Sequence, residues 1–194
     1  MNKKAVIDFF DGLAPNWDSE LVRDDAKIGL ILDYAGIADG VKVLDVACGT
    51  GVLFPDYLAR NVRQITGIDI SPVMIELARS KFSDPRIELI NADIEDVSCP
   101  APFERCIVYN AFPHFPDSAR LIECLAGKLI SGGRLTVAHG MSRAQINQHH
   151  SGGASKVSVE LIDENELARL FRPYFKVDVV ISDDDMYVVS GIKK

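Results

Sequence analysis

From residue 41 the chain alternates short, almost wholly apolar runs with longer stretches in which apolar residues recur at helical spacing. "VKVLDVAC" (41–48), "QITGIDI" (64–70), "RIELINAD" (86–93), "FERCIVYNAF" (103–112) and "GRLTVAHG" (133–140) read as strands. "VLFPDYLARN" (52–61), "SPVMIELARSKF" (71–82) and "DSARLIECLAGKLI" (117–130) read as the helices between them. Ser71 is placed to cap the second of these helices, and Pro72 fits its first turn. Strands that are apolar on nearly every residue, such as "CIVY", suit a parallel sheet covered by helices on both faces. The pattern predicts a doubly wound α/β fold.

After residue 163 the repeat closes with the helical "DENELARLFRPYF", whose Asp163 and Glu166 have capping-box spacing. "KVDVVIS" and "MYVVSGIKK" follow, too close together for a crossover helix, so an antiparallel hairpin is expected around "DDD". Two segments stand outside the repeat. The first 38 residues hold the helical pattern "DDAKIGLILDYAGI" behind an irregular "FFDGLAPNWDSE". Residues 141–162 hold a polar helical piece and then a Gly/Ser hinge. Both are expected to cover one end of the sheet of a single domain spanning 1–194.

Composition narrows the classes of partner. The 194 residues are 47% hydrophobic and 25% charged, an ordinary balance for one globular domain. The net charge of -7, without a run of like charges, lacks the footprint of a phosphate-backbone binder, so no nucleic acid is expected. No apolar run approaches the roughly 18 residues of a membrane span. "MNKKAVIDFFDG" carries Asp8 and Asp11 where a signal peptide would continue apolar, which points to a cytoplasmic protein. Cys48, Cys99, Cys106 and Cys124 lack metal-ligand spacing, so neither a disulfide framework nor a metal site is expected; Cys106 and Cys124 read as packing residues.

The candidate chemistry lies in "VLDVACGTGVLF" (43–54), a strand running through a glycine turn into a helix. In open α/β sheets ligands bind beyond the carboxyl ends of the strands, usually beside the first such turn. Two further acids mark later strand ends. Asp69 closes the second strand, 20 residues after Gly49, where a carboxylate can accept both hydroxyls of a ribose. Asp93 closes the third, where it can accept from an exocyclic amine. With the glycine turn these acids outline a nucleoside. A dinucleotide fits badly, because Asp45 would repel a pyrophosphate and Phe54 stands where the third glycine of such sites packs. An amino acid fits both features, its ammonium meeting the Asp45 region and its carboxylate the N–H groups of the turn. S-adenosylmethionine joins that amino acid to adenosine.

On these residues the chain resembles the class I S-adenosylmethionine-dependent methyltransferases over about 41–140. "VLDVACGTG" looks like the family's first motif, "GIDIS" its second-strand motif, "NADIED" its adenine-contacting motif and "YNAFPHF" the segment after the fourth strand. The resemblance implies that Ala47, Gly49 and Gly51 line the methionine moiety, near Asp45. It implies that Asp69 binds the ribose and Asp93 the adenine amine, that Ile70 and Ile94 flank the adenine, and that Asn110 lies near the sulfonium. It also implies a seven-stranded, mostly parallel Rossmann-like sheet in the order 3-2-1-4-5-7-6 with the last strand antiparallel. "FFDGLAPNWD" and "NAFPHF" look similar to the ubiquinone/menaquinone-biosynthesis-like subgroup.

The implied reaction is an in-line displacement that leaves S-adenosylhomocysteine, with a small-molecule methyl acceptor as the partner. "YNAF" lacks the paired prolines typical of methyltransferases that act on planar amide or base nitrogens. All four histidines fall in the later half of the chain. His114 and His139, near strand ends, are the candidate catalytic bases, and His149 and His150 join them as acceptor-side candidates with Tyr109 and Trp17. A metal- or metalloid-bearing acceptor held by several histidines is a further possibility. The alternatives are a non-catalytic S-adenosylmethionine-binding sensor or partner subunit and, less well supported, a nicotinamide-dependent oxidoreductase.

Overall fold

Seven strands form one sheet in the order β3-β2-β1-β4-β5-β7-β6, the order the resemblance implied. The computed structural model describes residues 2–97, 102–150 and 155–194. Cys99 and the start of the expected Gly/Ser hinge lie outside the described residues. The strands are β1 (Lys42–Val46), β2 (Gln64–Asp69), β3 (Ile87–Asn91), β4 (Phe103–Tyr109), β5 (Leu129–His139), β6 (Phe175–Ser182) and β7 (Tyr187–Lys193). The helices are α1 (Lys3–Glu20), α2 (Asp25–Tyr34), α3 (Phe54–Ala59), α4 (Pro72–Lys81), α5 (Ser118–Lys128), α6 (Arg143–His150) and α7 (Glu164–Phe171), with a 3₁₀ turn at Phe112–His114.

Alternation along each strand sends residues to two cores. Leu44 and Val46 of β1 and Cys106 and Val108 of β4 pack with Leu121, Leu125, Leu167 and Phe171 of α5 and α7. Val43 and Ile107 face the other way, toward Ile28, Ile31, Phe54 and Tyr57 of α2 and α3. With both faces covered, the near-continuous apolar runs of the sequence are accounted for. The first five strands pair in parallel, whereas β7 runs antiparallel to both β5 and β6. At the β6–β7 hairpin the Asp183 carboxylate accepts from the N–H groups of Asp185 and Met186, so the acidic run builds its own turn.

Three local expectations are corrected. "FFDGLAPNWDSE" is not irregular: α1 runs unbroken through Gly12 and Pro15, started by Asn2, whose side chain accepts from the Lys4 N–H. β4 stops at Tyr109, because Asn110 takes φ 53 and turns the chain out of the sheet. β5 begins at Leu129, earlier than residue 133; Leu129 pairs with Phe103 before the register shifts and Arg134 pairs with Arg105. The caps behave as the sequence suggests. The Ser71 hydroxyl accepts from the Met74 N–H at 3.1 Å, and Asp163 accepts from the Asn165 N–H.

Candidate functional site

The strand order reverses between β1 and β4, and the carboxyl ends of β1, β2, β3 and β4 open there onto one cavity of about 370 Å³. The turn leaving β1 passes through the left-handed region at Ala47 (φ 56), Gly49 (φ 54) and Gly51 (φ 84). Gly49 lines the cavity, and a Cβ built on it would meet nothing within 4 Å, so its backbone is open to a ligand. Gly51 serves packing instead. A Cβ there would stand 2.6 Å from Cδ2 of Phe54, and one on Gly67 of β2 would stand 2.7 Å from Cζ of the same ring. Phe54 is fully buried between the two glycines and edge-on to Phe82. No glycine is needed at position 54, because Gly67 and Gly51 make room for the aromatic ring that separates helix from strand.

Each of the three motif acids is held differently. The Asp69 carboxylate accepts from the Gly49 N–H and the Ser71 N–H, both at 2.8 Å, which ties the β1 turn to the β2 turn. Burial pushes its carboxyl above the ordinary range, against the pull of those two N–H groups. Asp93 meets Lys3 Nζ at 2.5 Å, and its other oxygen accepts from the Glu95 N–H. Asp45 is 2% exposed and does not line the cavity; it accepts from the Tyr57 hydroxyl at 3.2 Å on the core side of the turn. Burial raises its pKa to about 8, so at neutral pH it is largely protonated. The charge argument against a pyrophosphate is thereby corrected: Asp45 presents little charge to the loop, and the packing of Phe54 is what departs from a dinucleotide turn.

Ala47, Gly49, Asp69, Ile70, Asp93, Ile94 and Asn110 line the cavity. Asp45 and Gly51 do not, the first sunk toward Tyr57 and the second covered by Phe54. On the acceptor side Trp17, Tyr109 and His114 line it. His139 does not: it closes β5 as a buried residue, its ring edge-on to Tyr187. His149 is exposed on α6, and the side chain of His150 lies outside the described residues. Among the described residues no group of three or more His, Cys, Asp or Glu side chains could hold a metal ion. No disulfide joins Cys48, Cys106 or Cys124.

The sequence pointed to the N-terminal segment as a cover and to Trp17, but not to Lys3, Val6 and Phe10 as part of the cavity wall. Lys3, Val6, Phe10 and Trp17 recur at helical spacing and all line the cavity. Phe10 stands edge-on to Trp17 at 6.0 Å and to His114 at 4.9 Å between ring centroids. That spacing was visible in the sequence, but Gly12 and Pro15 disguised the helix. The segment after α6 also touches the site. The Val159 N–H donates to the Pro113 carbonyl, and His114 Nδ1 lies 2.8 Å from the Val157 carbonyl. Arg23, between α1 and α2, lines the far rim and is held by Asp56 and the Val52 carbonyl.

Comparison with known proteins places this geometry. Residues 43–133 match the family described as "Methyltransferase domain". A ubiquinone biosynthesis O-methyltransferase of Xylella fastidiosa is 38% identical over 104 residues, which cover 51% of this chain and 42% of that protein. The chain thus spans less than half the length of that relative. Among solved structures, a methyltransferase in complex with the Haloferax volcanii Trm112 activator superposes with a TM-score of 0.82 at 18% identity over 97% of each chain. The N-methyltransferase NodS of Bradyrhizobium japonicum, crystallised with S-adenosylhomocysteine, gives 0.73 at 14% identity over 100% of this chain and 99% of its own. Residues 43–133 thus match the methyltransferase domain family, and the motif residues and strand order agree with those the resemblance to the class I S-adenosylmethionine-dependent methyltransferases implied.

Proposed function

We propose that the protein transfers the methyl group of S-adenosylmethionine to a small-molecule acceptor by in-line displacement. One observation carries the reading: Gly49, Asp69 and Asp93, at the ends of three neighbouring strands, open onto a single cavity beside a turn whose open glycine lets a ligand touch backbone. When bound, S-adenosylmethionine supplies an electrophilic methyl carbon on a sulfonium. The residues at hand fit it. In the 47–51 turn the N–H groups of Cys48, Gly49 and Gly51 are already given to the Ile68 carbonyl, Asp69 and the Cys48 carbonyl, so it is the open backbone edge at Gly49 that would receive its amino-acid end. Asp69 has two N–H groups in place and keeps lone pairs for two ribose hydroxyls. Asp93 would take the adenine amine between Ile70 and Ile94, and Asn110, whose side-chain amide oxygen accepts from the Gly140 N–H, would lie near the sulfonium.

The acceptor end is bounded by Trp17, Phe10, Tyr109 and His114. A carbonyl oxygen only accepts, so the contact to Val157 assigns the ring proton of neutral His114 to Nδ1 and the basic lone pair to Nε2. His114 is therefore the residue suited to take a proton from a hydroxyl, thiol or amine as the methyl group arrives. His139, outside the cavity wall, has no such part. The aromatic wall and α1 line one side of the cavity, where they would shield the reacting methyl group from water.

The reading takes the protein as cytoplasmic, the compartment in which thiols such as Cys48 stay reduced; among the described residues no helix is long and apolar enough to cross a membrane. Its acidic charge supports a small molecule over nucleic acid as partner. The test is release of S-adenosylhomocysteine against a panel of phenols, quinols, thiols, amines and metalloid oxyanions. Hydroxyl acceptors go first, because the Xylella relative is named for O-methylation. Turnover with one class supports the reading, and cofactor binding without turnover across the panel favours the sensor alternative.

A further inference from the structure

Two carboxylates on α1 repeat one contact. Asp11 and Asp18 are seven residues apart, two helical turns, and so share a face. The Thr50 hydroxyl donates to the Asp18 carboxylate at 2.5 Å, and the Ser71 hydroxyl donates to the Asp11 carboxylate. Thr50 stands between Gly49 and Gly51 in the β1 turn, and Ser71 heads α4 in the β2 turn. These are the turns whose N–H groups meet at Asp69. Lys81 of α4 adds an ion pair to Asp18 at 2.6 Å. Both hydroxyls are buried, Thr50 at 1% and Ser71 at 0% exposure, and would lose these acceptors if the carboxylates were absent.

We infer that Asp11 and Asp18 are positioning residues that latch α1 over the cofactor cavity by gripping the hydroxyls of its two turns, and so set how fast the cofactor leaves. The inference rests on the methyltransferase reading of the cavity. The adjacent stripe of α1, Lys3, Val6, Phe10 and Trp17, forms part of the cavity wall, so a ligand filling the cavity touches the helix. The register of that stripe is fixed by contacts to the turns that hold the ligand. The contacts are polar and so can open reversibly: a lifted helix returns the hydroxyls and carboxylates to water.

The sole tryptophan, Trp17, lies in the cavity wall and supplies the readout. Stopped-flow fluorescence follows S-adenosylhomocysteine binding and release in the full chain, with the unfolding midpoint of each variant recorded alongside. The Asp11→Ala/Asp18→Ala variant is expected to release S-adenosylhomocysteine about tenfold faster or more, the loss of two charge-assisted hydrogen bonds. Thr50→Val, which keeps volume and removes the hydroxyl, should also speed release, while Thr50→Ser should restore the wild-type rate at a similar midpoint. Release at the wild-type rate from both the double variant and Thr50→Val overturns the latch while leaving the methyltransferase reading in place. Equal acceleration in Thr50→Ser and Thr50→Val likewise overturns it, by showing that the hydroxyl is not what matters. Failure of the wild-type protein to bind S-adenosylhomocysteine, measured by calorimetry, overturns the reading of the cavity and the latch with it.

Discussion

The Gly49 N–H donates to a carboxylate oxygen of Asp69 at 2.8 Å, joining residues 20 positions apart at the ends of neighbouring strands. The acid proposed to accept the ribose hydroxyls therefore also fixes the glycine turn. Asp69→Ala removes both functions, and the affinity for S-adenosylhomocysteine should fall by about 1–3 kcal/mol in titration calorimetry. Asp69→Asn should fall as well, because its amide turns an N–H toward a backbone N–H that needs an acceptor. Unchanged affinity in the alanine variant would remove Asp69 from the cofactor site.

Phe54 and Gly67 form a second pair whose fit can be measured. Phe54→Ala empties a fully buried ring site and should cost roughly 3–5 kcal/mol in denaturant unfolding. Gly67→Ala places a methyl group 2.7 Å from the Phe54 ring and 2.9 Å from the Cys48 sulfur, and should cost roughly 1–3 kcal/mol by overpacking. Combined with Phe54→Leu, the alanine at 67 should cost less than it does alone. Strict additivity of the two changes would deny that the ring and the glycine are matched.

Asp45 gives a pH dependence with a definite sign. Its folded pKa of about 8 lies above the ordinary value of 3.8, so its contribution to stability is fully present below about pH 4 and is lost as the pH rises through 8. Asp45→Asn keeps an acceptor for the Tyr57 hydroxyl and does not titrate. From pH 5 to pH 8 the wild-type protein should lose roughly 3–5 kcal/mol more unfolding free energy than the asparagine variant. Parallel curves in urea titrations at the two pH values would mean that the buried carboxyl does not carry this linkage.

His114 and His139 should separate cleanly. His114→Ala should lower turnover of a hydroxyl, thiol or amine acceptor by about 10²- to 10⁴-fold. Its affinity for S-adenosylhomocysteine should stay within about 0.5 kcal/mol of wild type. His139→Ala should lower the unfolding free energy, since the ring is buried against Tyr187, and leave turnover per folded molecule near wild type. A turnover loss in His139→Ala comparable to that in His114→Ala would contradict the placement of the two rings.

What the sequence disclosed and what it hid have physical reasons. Period and apolarity revealed the strands, because strands buried on both faces look unlike anything else in the chain, and the short gap between the last two runs left room only for a hairpin; the order of the strands in the sheet was implied by the family resemblance alone. The acids at strand ends were legible because each directly ends a recognisable run. The depth of Asp45 was not: a residue one step before a turn can face the loop or the core, and Tyr57, which holds it inward, arrives 12 residues later. The packing of Gly51 was hidden for the same reason, since its partner Phe54 looked like a missing glycine until Gly67 was seen opposite. Helix α1 was obscured by Gly12 and Pro15, both poor helix formers that tertiary contacts override here. His114 reached the cavity and His139 did not, a distinction set by Asn110 turning the chain out of β4 while β5 continues straight to His139 between its neighbours.

The central claim is that the cavity beside Gly49 takes S-adenosylmethionine and not a dinucleotide. Titration calorimetry of the intact chain with S-adenosylhomocysteine and, separately, with NADH tests it directly. Saturable one-to-one binding of S-adenosylhomocysteine, weakened in Asp69→Ala, and no measurable binding of NADH are expected. Binding of NADH with no response to S-adenosylhomocysteine would contradict it.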